Sequence, residues 1–186
     1  LGDGYQAKMR EPLTIYDPEK RGVELVEPEA MLGQGTGKAN FHHFRNTYNT
    51  EAELYEVVMA NQRDWDEMAQ EVVEWSEMGC ADADVILLTH GIVSRSAKSA
   101  YEQLRQEGKK VGFFRPITLR PFPGEQLRQA IKQAKQLLIA ESAYGQLVKL
   151  VQNAIYGATI EIVPMLRPGV GITTEEIIEE YGKLKQ

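Results

Sequence analysis

The stretch "DVILLTH", residues 84–90, decides the fold, because it is a run of apolar side chains bounded by polar ones. Unbroken apolar runs of this length are typical of strands that are buried on both faces of a sheet. A helical pattern follows, with one apolar face made of Ala97, Ala100, Tyr101 and Leu104. The two segments predict a β/α unit whose helix is capped by Ser94 and ends at Gly108.

The same alternation continues toward the C-terminus. Further strands are predicted at "KVGFF" (110–114), "QLLIAES" (136–142) and "TIEIVPM" (159–165), with helical patterns between them. A last helix is predicted after Thr173, which is followed three residues later by a glutamate, as in a capping box. Units of this kind predict an α/β fold over residues 82–186, a three-layer α/β/α sandwich with a mostly parallel sheet.

Upstream of this domain the pattern is different. Residues 1–50 mix proline and glycine with short apolar runs and predict an extended, loop-rich connector. Residues 51–79 predict a long acidic amphipathic helix that begins with a capping box at Thr50 and Glu53 and ends at Gly79. Its apolar stripe is formed by Leu54, Val58, Trp65, Met68, Val72 and Trp75 and is broken by Asn61. The stripe either packs across its own domain or contacts a partner subunit.

Composition limits the classes of function. The 186 residues are 42% hydrophobic and 26% charged, as in ordinary globular proteins, and the net charge of −6 argues against a general nucleic-acid binder. Residues 1–80 carry 7 basic and 16 acidic groups, whereas residues 81–186 carry 14 and 11. No stretch has the length of a membrane span, and we expect a cytoplasmic protein. The start at Leu1 suggests processing or a cut from a longer protein.

A single cysteine, Cys80, excludes an internal disulfide and an iron–sulfur or zinc site built from thiolates of this chain. Other candidate motifs are weak. The segment "GQGTGK" (33–38) lacks the pattern of a phosphate-binding loop, and the adjacent His42 and His43 cannot easily share one metal ion. His90 ends a strand without a serine or cysteine at a recognisable spacing. The residues predict no catalytic constellation.

Ligands and partners of parallel sheets meet the loops at the carboxyl ends of the strands. Three loops qualify: "THGIVSRS" (89–96), "RPITLRPFP" (115–123) and "ESAYGQL" (141–147). The candidate residues are Gly91, Ser94, Arg95, Arg115, Pro116, Thr118, Pro121, Pro123, Glu141, Gly145 and Gln146. Arginines near helix N-termini could hold an anion. Alternatively, Glu141 could neutralise Arg115.

The stretch from Ala83 to Pro123 and the later "ESAYGQL" resemble the second domain of the α subunit of 2-oxoacid:ferredoxin oxidoreductases. The family signature R-P-x-T-L-x-P-F-P is matched by Arg115, Pro116, Thr118, Leu119, Pro121, Phe122 and Pro123, and its E-x-x-x-G-Q segment by Glu141, Gly145 and Gln146. Arg120 departs from the tryptophan found in many relatives. The opening "LGDGYQAKMREP" is similar to the exit from the preceding domain of the same subunit.

The resemblance implies a fold like the transketolase C-terminal domain and membership of a complex that oxidatively decarboxylates a 2-oxoacid. It implies thiamine diphosphate, Mg²⁺, iron–sulfur clusters and coenzyme A for the whole complex, and none of them in this chain. The implied partners are a thiamine-binding β subunit, a γ subunit, an iron–sulfur subunit and, indirectly, ferredoxin. A dimer is possible. Neither nucleic acid nor a membrane is an expected partner.

We expect the proline-rich segment 115–123 to contact the catalytic domain or a partner subunit. Each proline fixes φ near −65°, which makes a stiff loop suited to an interface. We expect an assembly domain that is inactive by itself. The alternative is a free-standing module that holds a nucleotide or coenzyme A at the arginine-bearing edge, which fold alone does not exclude. A third option is the matching domain of a thiamine-dependent dehydrogenase without ferredoxin.

Overall fold

The computed structural model describes Asp17 and residues 47–184. The strands in this part are β1 (Trp75–Met78), β2 (Val85–Thr89), β3 (Val111–Pro116), β4 (Gln136–Glu141) and β5 (Glu161–Leu166). The helices are α1 (Glu51–Val72), α2 (Val93–Gln106), α3 (Gly124–Ala130), α4 (Gln146–Ala154) and α5 (Thr174–Lys183). Most of the predicted connector, with "GQGTGK", His42 and His43, lies outside the described residues.

The sheet has the strand order β1-β3-β2-β4-β5. Strands β3, β2, β4 and β5 are parallel, and β1 pairs antiparallel with β3 at one edge. All five residues of β2 are buried, as the apolar run predicted. The predicted α/β fold with a mostly parallel sheet is confirmed.

Helices cover both faces of this sheet. One core cluster joins the side chains of Leu87 and Phe113 to α2 and α5, and the other joins Leu88 and Phe114 to α3 and α4. From β2 the chain moves toward the β1 edge of the sheet to form β3. From β3 it moves back toward the β5 edge, past β2, to form β4. Because such crossovers are right-handed, the connecting helices α2 and α3 must lie on opposite faces.

The helix upstream of the sheet is shorter than predicted. It ends at Val72 and not at Gly79, and Trp75–Met78 is instead the edge strand β1. Its start is close to the prediction: the Glu53 amide donates to Thr50 Oγ1 at 3.1 Å, but the Glu53 carboxylate accepts from the Asn49 amide. The apolar stripe is mostly exposed, at 43% for Leu54, 51% for Val58, 38% for Met68 and 42% for Val72.

The described residues fall into two compact units, one ending at Asp64 and the other beginning at Trp65. The sheet and all the loops discussed below belong to the second unit. No helix in the described ranges is both long enough and apolar enough to cross a membrane.

The second predicted capping box is confirmed. The Glu176 amide donates to Thr173 Oγ1 at 3.2 Å, and the Thr173 amide donates to Glu176 Oε2 at 2.9 Å. Ile172 and Ile177, on either side of this box, are both buried in the core under α5. The box and the apolar pair together fix where α5 begins.

Arg105 ties α2 to the edge of the sheet. Its guanidinium donates to the Gly79 carbonyl at 2.5 Å and to the Val111 carbonyl at 2.6 Å, and it pairs with Asp82 at 2.6 Å. This pairing holds the pKa of Asp82 below its usual range. Gly79 has a φ of +59°, and a Cβ there would lie 2.6 Å from Arg105 Nη2. The turn after β1 therefore favours a glycine for its conformation, and a side chain there would displace the Arg105 guanidinium.

Replacing Arg105 with methionine should lower the free energy of unfolding by about 1–3 kcal/mol, because two backbone carbonyls lose a charged donor while the apolar stem is kept. Denaturant unfolding measures this. Arg128→Met is the matched control: Arg128 is exposed and bonds one carbonyl, that of Tyr156, at 3.1 Å. The control should change stability by less than about 0.5 kcal/mol. Equal losses in the two variants would contradict this role of Arg105.

Candidate functional site

The carboxyl ends of β2, β3 and β4 lie side by side at one edge of the parallel sheet, which we call the rim. The connection after β2 leads to α2 on one face, and the connection after β4 leads to α4 on the opposite face. Adjacent strands with connections on opposite faces form a crevice, the usual ligand position in open α/β sheets. As predicted, the three loops share this rim.

Two side-chain contacts hold the loop after β2, one to the end of β3 and one to the backbone of the loop itself. His90 Nδ1 is 2.8 Å from the Pro116 carbonyl, which links the ends of β2 and β3. Gly91 has a φ of +61°, in the left-handed region that favours glycine. The predicted cap at Ser94 is wrong. Helix α2 begins at Val93 without a side-chain cap, and Ser94 Oγ donates back to the Gly91 carbonyl at 2.5 Å.

The segment 115–123, which we call the elbow, is held at its centre by Glu74. The amides of Ile117 and Thr118 donate to the Glu74 carbonyl at 2.9 and 3.1 Å, and the Glu74 amide donates to Thr118 Oγ1 at 3.0 Å. The first two residues of the elbow, Arg115 and Pro116, belong to β3. Glu74 directly precedes β1, and its backbone therefore holds the elbow as if the pairing of β1 with β3 continued by one more residue.

The second half of the elbow packs in two directions. Leu119 and Phe122 contact the core under α3 and α4, and the buried Pro123 precedes the first residue of α3. The exposed Arg120 lies over the Trp65 ring, with 5.2 Å between its guanidinium carbon and the ring centroid. The peptide bond between Arg120 and Pro121 is cis. Arg120 thus presents its charge outward above an aromatic face.

Glu141 does not pair with Arg115, and the interpretation that the two neutralise each other is wrong. The Glu141 carboxylate is buried and accepts from the amides of Leu147 at 3.0 Å and Val148 at 3.3 Å. Those amides are among the first of α4, and they would otherwise have no partner. A buried negative charge is favourable there because it faces the positive end of the helix dipole.

The turn before α4 uses the other two family residues. Gly145 has a φ of +87° and is the N-cap of the helix. Gln146 begins α4, as predicted, and its side-chain oxygen accepts from the Tyr144 amide at 2.7 Å. Glu141, Gly145 and Gln146 therefore form one structural unit that starts the helix.

The sequence reasoning missed several groups at this rim. Glu74 and Trp65 support the elbow through contacts that are distant in sequence. Arg167, at the end of β5, pairs with Glu176 at 2.6 Å. The Thr173 amide first and Arg167 second lower the pKa of Glu176. Thr89, the last residue of β2, has a buried hydroxyl without a partner among the described residues. Trp65 belongs to the predicted stripe and Thr89 to a predicted loop, but neither pattern indicates the roles found here. No periodicity or motif marks Glu74 or Arg167.

The described residues offer no thiolate suited to an iron–sulfur cluster and no grouped side chains suited to a metal ion. Cys80 is buried, its Sγ lies 3.3 Å from the Phe113 carbonyl, and burial raises its pKa to about 11, which is unsuited to a cluster ligand. In the described ranges no three histidine, cysteine, aspartate or glutamate side chains are grouped as metal ligands. Cys80 is part of the core cluster under α3 and α4.

Replacing Glu141 with glutamine should lower the free energy of unfolding by about 2–3 kcal/mol, since charged acceptors of backbone amides are the strong ones. Denaturant unfolding followed by circular dichroism measures the loss. Glu125→Gln is the control, because Glu125 is an exposed acid in the first turn of α3. If Glu141→Gln is no more destabilising than Glu125→Gln, Glu141 does not act as the cap of α4.

Comparison with known proteins agrees with the resemblance. Residues 83–177 match the family described as pyruvate:ferredoxin oxidoreductase core domain II. The ketoisovalerate oxidoreductase subunit VorB of Methanothermobacter marburgensis is 31% identical over 163 residues, which cover 88% of this chain and 46% of that subunit. The 2-oxoglutarate synthase subunit KorA of the same organism is 28% identical, over 89% of this chain and 38% of that subunit.

A solved structure supports the fold. The 2-oxoglutarate:ferredoxin oxidoreductase of Magnetococcus marinus superposes with a TM-score of 0.66 at 17% identity, covering 80% of this chain and 27% of that one. This chain spans about half the length of the VorB subunit and a smaller share of the KorA subunit. The family match over more than half of the chain identifies it as a member of the 2-oxoacid:ferredoxin oxidoreductases, with core domain II over residues 83–177.

Proposed function

We propose that this chain is the C-terminal assembly domain of the α subunit of a 2-oxoacid:ferredoxin oxidoreductase, without a complete active site of its own. The whole complex would convert a 2-oxoacid to acyl-CoA and pass the electrons to ferredoxin. The companion subunits would supply thiamine diphosphate with Mg²⁺ and the iron–sulfur clusters. A single buried cysteine agrees with a reducing, cytoplasmic compartment.

One observation carries the proposal: the elbow is already ordered within this chain. Three hydrogen bonds to Glu74 fix its centre, and Leu119 and Phe122 anchor its second half in the core. Two prolines in that half, Pro121 and Pro123, restrict the backbone further. A surface that is ordered before it binds loses little entropy on association, which is the property that an interface needs.

The polar groups of the rim support the same interpretation, because most of them already have structural partners. Glu141 accepts from two amides of α4, and His90 bonds the Pro116 carbonyl. Thr118 bonds Glu74. Groups held in this way shape a surface, whereas a nucleophile or general base must reach a substrate.

The exposed side chains around the elbow have the chemistry of a protein contact. Arg120 and Trp65 present a stacked cation and aromatic ring, and these residue types are enriched where interfaces are tightest. Trp75 is 37% exposed at the start of β1, next to Glu74. We propose that the catalytic domain of the same subunit or a companion subunit covers this surface.

Arg120→Ala and Thr118→Val test the proposal. The first variant removes the exposed cation, and the second removes the hydroxyl that holds the elbow to Glu74. Each should weaken association with the companion subunits by about tenfold, which corresponds to roughly 1.4 kcal/mol. Light scattering of the co-expressed subunits after size-exclusion chromatography, over a dilution series, measures the association.

Arg128→Ala is the control for these variants, because Arg128 is also an exposed arginine but lies on α3, away from the elbow. Circular dichroism must show that each variant is folded. If Arg120→Ala and Thr118→Val remain assembled down to the same protein concentration as the wild type, the elbow has no role in assembly.

A further inference from the structure

Three polar side chains form a row across the sheet at the rim. Ser76 of β1 is the register partner of Arg115 of β3. Phe114 is the register partner of Leu88 in β2, which makes Arg115 and Thr89 the next positions along the two parallel strands. Side chains alternate along a strand, and Phe113 and Leu87 belong to the core under α2 and α5. Ser76, Arg115 and Thr89 therefore lie on that same face, and we call them the polar row.

Two members of the polar row have unsatisfied hydrogen-bonding atoms. The Thr89 residue is fully buried, at 0% exposure, and its hydroxyl has no partner in the described part of the chain. Arg115 is half-buried, and its buried Nε likewise has no acceptor there. A buried polar atom without a partner costs free energy, and a partly buried cation without an anion costs more. Native proteins keep such groups when something else satisfies them.

Nearby acids do not compensate Arg115. Glu77 is the register partner of Phe114 and faces the other side of the sheet. Glu141 is on that other side too, where it caps α4. Glu176 is paired with Arg167. Within residues 47–184, none of the ion pairs of the structure includes Arg115.

The start of α2 places the positive end of a helix dipole near Thr89. Helix α2 begins at Val93, after a connection of three residues that follows Thr89 directly. Its N-cap residue, Ile92, provides no side-chain oxygen, and Ser94 is turned to the Gly91 carbonyl. The amides of Ser94 and Arg95 already donate to the carbonyls of Gly91 and Ile92, at 3.2 and 3.1 Å, so the start of this 14-residue helix contributes the positive end of its dipole and no free amide of these two residues.

We propose that the polar row is an oxyanion-binding site, in which the Arg115 guanidinium and the Thr89 hydroxyl donate to a phosphate or carboxylate group. The guanidinium is a cation with donors only, which excludes a cation or a neutral donor as its ligand. Arg115 supplies the charge and the planar geometry that suit an oxyanion. Thr89 lies beside Arg115 on one side of β3, and Ser76 lies beside it on the other.

The oxyanion has two possible sources, a phosphorylated small molecule or a carboxylate of a companion subunit. Both make the same contacts with Arg115. The inference does not depend on the proposed assembly role, because the first source can be measured on the chain by itself.

Thr89→Val tests whether the hydroxyl is unsatisfied in the free chain. Valine has the same shape and removes only the polar atom, and the melting temperature without phosphate should rise by about 2–4 °C. Thr118→Val, in which the lost hydroxyl has a partner at 3.0 Å, should lower it. A fall of similar size in both variants would overturn the proposal, because the Thr89 hydroxyl would then have a partner within the chain.

Inorganic phosphate tests the small-molecule source. At a concentration ten times its Kd, phosphate should raise the melting temperature of the chain by about 3–6 °C relative to chloride at equal ionic strength. The Nε–H resonance of Arg115 should shift in the same titration. Arg115→Gln should abolish the rise, and Arg128→Gln should retain it. A rise that survives Arg115→Gln is an effect of ions elsewhere on the chain and overturns the proposal.

The assembled subunits test the second source. If phosphate has no effect on the free chain, Arg115→Gln should weaken association with the companion subunits by tenfold or more, whereas Arg128→Gln should leave it unchanged. This result would assign the oxyanion to a carboxylate of a companion subunit. If Arg115→Gln changes neither the phosphate response nor association, the polar row binds no oxyanion and the proposal is overturned.

Discussion

The central strand β2 is the constraint on which the rest of the structure depends. All of its residues are buried, and it pairs in parallel with β3 on one side and β4 on the other. A strand in this position needs helices on both faces, and right-handed crossovers to its two neighbours provide them. The same pairing brings the ends of three strands to one rim. The position of every candidate residue follows from that arrangement.

The rim contains two kinds of polar group. Most already have hydrogen-bond partners that hold the loops. Glu141 caps α4, His90 joins β2 to β3, and Thr118 binds the backbone of Glu74. Arg115 and Thr89 are different, because each has a buried atom without a partner in the described ranges. The first kind gives a surface of fixed shape, and the second leaves that surface with unsatisfied donors. Both features are expected of a domain that functions in contact with something else.

The sequence predicted the regular part of this structure well, because local pattern and tertiary packing agree there. The run 84–90, the capping box at Thr173 and the start of α4 at Gln146 are examples in which neighbouring residues carry the whole signal. The family resemblance was also readable, since the elbow signature is contiguous. Most of the loop-rich N-terminal segment and the domain boundaries stay predictions.

Most of the failures share one physical cause, which is pairing between residues far apart in sequence. Trp75 continues the helical spacing of the preceding stripe, yet the segment is a strand, because it pairs with β3 about 40 residues later. Ser94 is a local exception, because it has the residue type of a cap but bonds the carbonyl of Gly91, three residues earlier. Arg115 and Glu141 end nearby strands on opposite faces, a relation that only the register reveals.

The most direct test of the assembly account is native mass spectrometry of the complex purified through this chain from its source cells, with thiamine diphosphate and iron measured in the same fraction. The account predicts that the chain is present in a stoichiometric complex whose other subunits contain thiamine diphosphate and iron–sulfur clusters. A species of 21.0 kDa without thiamine diphosphate, iron or companion subunits would contradict it.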